Sequence, residues 1–95
     1  MAATLRSYGL APNRLDNNVW VQTAIDASNP TLLLNAHIDT VKPVVSWTRD
    51  PFVPPIEDGC LYGLGSNDCG GGLVTLLQVF RICAAGEATT PYNII

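Results

Sequence analysis

The 95-residue chain carries 5 Lys+Arg against 8 Asp+Glu, a net charge of −3, with 14% charged and 47% apolar residues. A composition this apolar and this weakly charged excludes intrinsic disorder. The basic residues Arg6, Arg14, Lys42, Arg49 and Arg81 are scattered singly and form no stripe that could neutralise a row of phosphates, which excludes nucleic acid as a partner.

Thr4 to Leu10 reads as the last turns of a short helix, with Gly9 near its stop and Pro12 beyond it. From Leu15 to Ile25, Val19, Val21, Thr23 and Ile25 alternate with Asn18, Trp20, Gln22 and Ala24, which predicts one strand ended by Asn29-Pro30. Thr31 to Asp39 is an apolar run that turns abruptly polar. Such a strand is expected to be covered on both faces, with His37 and Asp39 at the end where α/β sheets place ligands. Residues 40 to 60, with Pro43, Pro51, Pro54 and Pro55, predict an irregular connection, and loops of that length are usually functional. Cys60 to Gly63 follows as a short strand, then a glycine-rich turn from Gly63 to Gly72. A helix is predicted over about Gly71 to Ala85, with Leu73, Leu76, Leu77, Phe80 and Cys83 on one face. Val74, Val79 and Ile82 widen the apolar stripe and predict burial on more than one side. Gly86 caps the helix, and Tyr92 to Ile95 begins another strand.

No basic segment followed by a long apolar one opens the chain, and Leu32-Leu33-Leu34 is far too short to span a bilayer. The sequence therefore predicts a soluble, cytoplasmic protein with no membrane partner. Cys60, Cys69 and Cys83 are odd in number and lack CxxC spacing, so they read as reduced thiols. A domain of this length buries only about 60–65% of its unfolded surface, and the excess of apolar residues is expected of the interior of something larger.

Three chemistries compete for the polar residues. Dinucleotide binding fails because Asp68 occupies the third glycine place of G-x-G-x-x-G, where a carboxylate would repel pyrophosphate, and Gly71 stands where a Walker motif needs lysine. Nucleophilic catalysis lacks its elbow around Ser66, and Cys69 could meet the single histidine only through the fold. Metal binding explains more. His37-x-Asp39 puts both side chains on one face of a strand, so one imidazole nitrogen can ligate while the carboxylate orients the ring. Asp68 opens the next strand-to-helix turn, and its two oxygens can bridge two ions about 3.5–4 Å apart. The plain alternative is a hydrogen-bonded histidine beside an Asp68 that serves as helix N-cap.

Three blocks in order resemble the co-catalytic zinc aminoacylases and peptidases, which include acetylornithine deacetylase, succinyl-diaminopimelate desuccinylase, carboxypeptidase-like and tripeptidase members. They are Leu33-Leu34-Asn35-Ala36-His37-Ile38-Asp39-Thr40-Val41, Trp47-Thr48-Arg49-Asp50-Pro51-Phe52, and Asp58 through Gly71. The resemblance implies that His37 ligates one zinc, that Asp68 bridges two, that Asp39 is the catalytic-site carboxylate holding the His37 ring, and that the Asp68-Cys69 peptide is cis. Leu64 stands where the common motif has Arg, and Cys69 where Met is frequent. The Gly-Leu-Gly-Ser-Asn-Asp variant is most similar to the N-acyl-ornithine deacetylase branch.

The implied fold is α/β, a fragment of a zinc-peptidase-like catalytic domain with a mixed β-sheet flanked by helices, spanning residues 1–95, truncated at both ends and without the lid domain. The implied reaction is hydrolysis of an N-acyl amino acid, acetylornithine first, with two Zn2+ (Co2+ as a substitute) and a homodimer formed through the lid. Desuccinylase or dipeptidase chemistry is the alternative of the same class, and a non-catalytic metal-binding relic the alternative of another. The general-base glutamate and the remaining ligands of relatives lie past Ile95, so the 95 residues alone are expected to be inactive.

Overall fold

The computed structural model describes residues 1–95. In chain order its elements are α1 (Ala2–Ser7), β1 (Asn13–Leu15), β2 (Asn18–Trp20), β3 (Thr31–Leu32), β4 (Ile56–Glu57), β5 (Cys60–Leu61), α2 (Gly72–Ala84) and β6 (Asn93–Ile94), with a widened turn over Ser66–Gly71 before α2. The chain forms two compact units, Met1–Leu34 with Gln78–Ile95, and Asn35–Leu77.

In the first unit both helix ends stop the same way. Gly9 takes φ +75°, its N–H donates to Arg6 O at 2.9 Å, and Leu10 N–H donates to Leu5 O at 3.1 Å. Gly86 (φ +74°) repeats the pattern after α2, with Gly86 N–H on Cys83 O and Glu87 N–H on Ile82 O, both 3.1 Å. Each left-handed glycine satisfies carbonyls that the helix leaves open. The expected stub from Thr4 to Leu10 therefore begins earlier and ends at Ser7.

The single strand expected over Leu15 to Ile25 is instead a hairpin. β1 and β2 pair antiparallel, with Arg14 opposite Val19. The reversal falls at Asp16-Asn17, where Asp16 adopts φ +52° and its carbonyl accepts from Arg14 Nε at 2.8 Å. Asp and Asn tolerate this region because their short polar side chains bond locally.

β3 pairs parallel with β6, Thr31 opposite Asn93 and Leu32 opposite Ile94. The ladder extends through Leu34 N–H to Ile95 O at 2.7 Å, and residues 35 to 39 continue unpaired, so the strand is shorter than the apolar run that predicts it. Asn93, 3% exposed, anchors the pair. Its amide donates to Asp26 O (2.9 Å) and Asn29 O (3.0 Å) while its oxygen accepts from Asp26 N–H (2.9 Å). The apolar core of this unit is Leu5, Val21, Phe80 and Ile94.

Two expectations about burial fail. Leu32 and Leu33 are exposed rather than covered on both faces, and on α2 only Phe80 is buried while Val74, Val79 and Ile82 lie open. Periodicity states which residues would suit an interior, but burial needs an element to pack against them, and β3 has β6 alone. Likewise the expected mixed sheet is absent: parallel and antiparallel pairings both occur, in three separate two-stranded sheets. The chain is a small helix and strand assembly.

In the second unit, β4 and β5 form an antiparallel hairpin across Asp58 (φ +50°) and Gly59 (φ +77°). Two successive positive φ values match the right-handed twist of the flanking strands, which makes Asp-Gly a favoured hairpin turn. The connection expected to be irregular to residue 60 thus contains regular structure. Arg49 braces it, donating through Nε to Glu57 Oε2 at 3.0 Å and stacking 4.0 Å from the centre of the Tyr62 ring. The bond to Glu57 raises the pKa of Arg49, and the same bond holds the Glu57 carboxyl below its ordinary value.

Candidate metal centre

The glycine-rich turn is shaped by close approach. Gly65 takes φ +76°, and a Cβ built there would lie 2.5 Å from Thr40 Cγ2; one on Gly70 would lie 2.7 Å from Gly65 O. Only glycine fits both places, and Gly70 N–H donates to Gly65 O at 2.8 Å to close the turn. Within it Asp68 (φ −113°, ψ 100°) and Cys69 (φ −117°, ψ 21°) leave the helical conformation, joined by the cis peptide that the resemblance implies. The result carries Asp68 to His37.

His37 is held between two carboxylates. Its Nδ1 lies 3.1 Å from the Asp39 carbonyl oxygen and 3.3 Å from Asp39 Oδ1, while Nε2 lies 3.2 Å from Asp68 Oδ1. Asp39 and His37 thus meet although residues 35 to 39 belong to no paired strand. Asp68 directs its carboxylate at the imidazole, not at the amides of α2, which removes the N-cap reading. All three side chains line one open cleft of about 340 Å³ with Thr40, Ser66 and Asn67.

The electrostatics of this arrangement favour a cation. Both ring nitrogens face acceptors, and a carboxylate cannot donate, so each contact needs a proton on nitrogen or a positive ion in its place. The Asp39 carbonyl, accepting from Nδ1–H, is the main reason that the His37 pKa is raised; desolvation opposes it, and the Asp39 and Asp68 carboxylates add to it. With Nδ1–H committed to Asp39, Nε2 is the nitrogen left to face Asp68. Two ligand atoms about 2.0–2.2 Å from a tetrahedral ion stand about 3.4 Å apart, and the 3.2 Å between Nε2 and Oδ1 approximates that edge. The donor set fits a divalent metal.

Residues 33–95 match peptidase family M20/M25/M40. The chain belongs to this family. Its members are metal-dependent hydrolases, and His37, Asp39 and Asp68 lie within the matched residues. The chain is 37% identical over 83 residues to the succinyl-diaminopimelate desuccinylase of Stenotrophomonas maltophilia, covering 81% of this chain and 22% of the relative. Over 95 residues it is 36% identical to the protein of the same name from Xanthomonas euvesicatoria pv. vesicatoria, covering 94% and 25%, and over 92 residues 32% identical to that of Alkalilimnicola ehrlichii, covering 90% and 24%. The M20 chain described here thus spans about a quarter of the length of the curated relatives it matches. No helix in it is long and apolar enough to cross a membrane.

Sequence reasoning passed over Cys69 as a donor. Its sulfur, His37 and Asp68 offer ligand atoms that all lie within 4.8 Å of one another, and only the path of the turn shows this. Cys60 and Cys83 are also free thiols. The contact of Thr40 with Gly65 was equally hidden, because it joins residues from separate motifs.

Proposed function

We propose that this chain is the part of an M20 hydrolase that supplies one histidine and one carboxylate to a zinc centre, and that the whole protein cleaves the succinyl amide of N-succinyl-diaminopimelate. The observation that carries the metal reading is the convergence of His37 Nε2 and Asp68 Oδ1 at 3.2 Å, with Asp39 behind Nδ1 at 3.3 Å. The substrate follows the relatives, all three of which bear the desuccinylase name. Desuccinylation, first an alternative, therefore replaces acetylornithine deacetylation as the leading reading.

In the proposed site, Asp39 fixes the His37 ring and its tautomer, and Asp68 offers a second oxygen toward the cleft. Thr40, Ser66 and Asn67 present polar groups along the cleft wall, suited to orienting an amide or a substrate carboxylate. The bound metal would supply an acidified water and polarisation of the scissile carbonyl. The cleft carboxylates are Asp39 and Asp68, with no glutamate among its lining residues. Glu57 is engaged with Arg49 and is given no part in proton transfer from the attacking water.

The test is the whole protein assayed side by side on N-succinyl-diaminopimelate and N-acetylornithine, with metal content measured in wild type, His37→Ala and Asp68→Ala. Preferential cleavage of the succinyl substrate, with metal and activity lost in both variants, is expected. Preference for acetylornithine would return the assignment to deacetylation. Full metal content and activity in both variants would overturn the metal reading itself.

A further inference from the structure

Thr40 stands against both segments that build the metal site. On one side its amide nitrogen is bonded to the Asp39 carbonyl carbon, and the oxygen of that same peptide group lies 3.1 Å from His37 Nδ1. A rotation of the chain at Thr40 therefore carries with it the acceptor that orients the imidazole. On the other side its Cγ2 methyl occupies the place that a side chain on Gly65 would take, 2.5 Å from a Cβ built there.

Gly65 in turn closes the loop that bears Asp68. Its carbonyl accepts from Gly70 N–H at 2.8 Å, a Cβ on Gly70 would meet that oxygen at 2.7 Å, and the Asp68 carbonyl oxygen lies 3.5 Å from the Gly65 Cβ position. Residues 65 to 70 thus form a small closed ring, so a displacement of Gly65 reaches Asp68. The two faces of the contact differ in stiffness. Glycine at φ +76° is conformationally permissive, whereas the two β-substituents of threonine restrict χ1, which makes the Thr40 methyl a fixed spacer.

We infer that Thr40 is a positioning residue whose methyl group sets the separation of His37 Nε2 and Asp68 Oδ1, 3.2 Å apart. This rests on the metal reading of His37 and Asp68 and adds to it what holds the two ligands at the spacing of about 3.4 Å that a tetrahedral ion needs. Without the methyl, Gly65 is free to settle toward residue 40 and the ligand spacing broadens, so that binding an ion must first restore it, a loss of preorganisation. The hydroxyl of Thr40 has no part in this spacing.

The test uses the full-length protein and two variants that divide the side chain: Thr40→Ser keeps the hydroxyl and removes the methyl, and Thr40→Val keeps the methyl on a β-branched carbon and removes the hydroxyl. Zn2+ affinity is measured by competition with a chelator, and stability by urea unfolding of the metal-free proteins. In Thr40→Ser the affinity should fall roughly 10–100-fold, the cost of losing a partner that orients a ligand, while the metal-free midpoint stays at the wild-type value, as expected of a substitution on an open cleft wall. In Thr40→Val the affinity should stay within about twofold of wild type, far from the loss expected of a missing partner. Equal affinity in Thr40→Ser and wild type, an equal loss in both variants, or a loss matched by a lowered metal-free midpoint overturns the role of Thr40 and leaves His37 and Asp68 as ligands. Failure of the wild type to bind zinc overturns the metal reading as well.

Discussion

Gly65 is the position at which the geometry of the site is most exposed to a single methyl group. Replacing it with alanine imposes two separable penalties. The backbone stands at φ +76°, where an L-residue costs roughly 1–2 kcal/mol. The new Cβ would also lie 2.5 Å from Thr40 Cγ2, over 1 Å inside an ordinary carbon contact, and overpacking of this kind costs about 1–3 kcal/mol. Thr40 is β-branched and stiff at χ1, so the turn has to move, and Asp68 moves with it. Gly65→Ala is expected to destabilise the full-length protein by about 2–5 kcal/mol and to lower its metal content. Thr40→Ser removes the clashing methyl but keeps the hydroxyl, so Thr40→Ser/Gly65→Ala should regain the steric share, about 1–3 kcal/mol, and none of the backbone share. Urea denaturation of wild type, both single variants and the double variant measures the coupling. Additivity within about 0.5 kcal/mol would show that Thr40 does not press on Gly65 and would refute the reasoning.

Asp39→Asn keeps the carbonyl contact to His37 Nδ1 but removes the carboxylate charge; metal affinity should fall roughly 10–100-fold by titration calorimetry, and unchanged affinity would remove Asp39 from the site. Glu57, whose pKa is lowered chiefly by the bond from Arg49, stabilises the β4–β5 hairpin above its unfolded value of 4.5 and loses that contribution as pH falls through the lower folded value. Amide protection across Ile56–Leu61, relative to the intrinsic exchange rate at each pH, should therefore fall on acidification below that range in wild type, and Glu57→Gln should be weakly protected throughout; identical protection profiles in the two proteins would refute the pairing. Asn93→Ala leaves two carbonyls and one N–H of the 26–29 turn without their part-buried bonds, each worth about 0.5–1.5 kcal/mol; a change below about 0.5 kcal/mol in thermal unfolding would mean that water takes the place of the amide.

The site was more legible than the fold around it. The step from Leu34 to His37 and Asp39, and the glycines around Asp68, state a chemistry in residue types alone, and the structure brings those three side chains together. The hairpin at Asp58-Gly59 was also readable, since Asp-Gly between short apolar segments is among the stronger turn signals; prolines nearby drew attention to irregularity instead. The Asp16-Asn17 reversal lay inside an alternating pattern, and alternation does not distinguish one strand from two halves of a hairpin. Exposure of Leu32, Leu33 and the flank of α2 was beyond any local pattern, because amphipathicity describes a preference and packing supplies its partner. Cys69 needed the path of the turn, which puts its sulfur beside residues 37 and 68.

The parallel pair of β3 with β6 sets the order in which this chain can be assembled during synthesis. Thr31 and Asn93 are 62 positions apart, so the strand leading to His37 leaves the ribosome long before the segment that pairs with it. Contacts so distant along the chain form late, after the intervening stretch has been gathered and its loop entropy lost. The β4–β5 hairpin and α2 are local and can form first. The β3–β6 pair therefore closes after these local elements have formed.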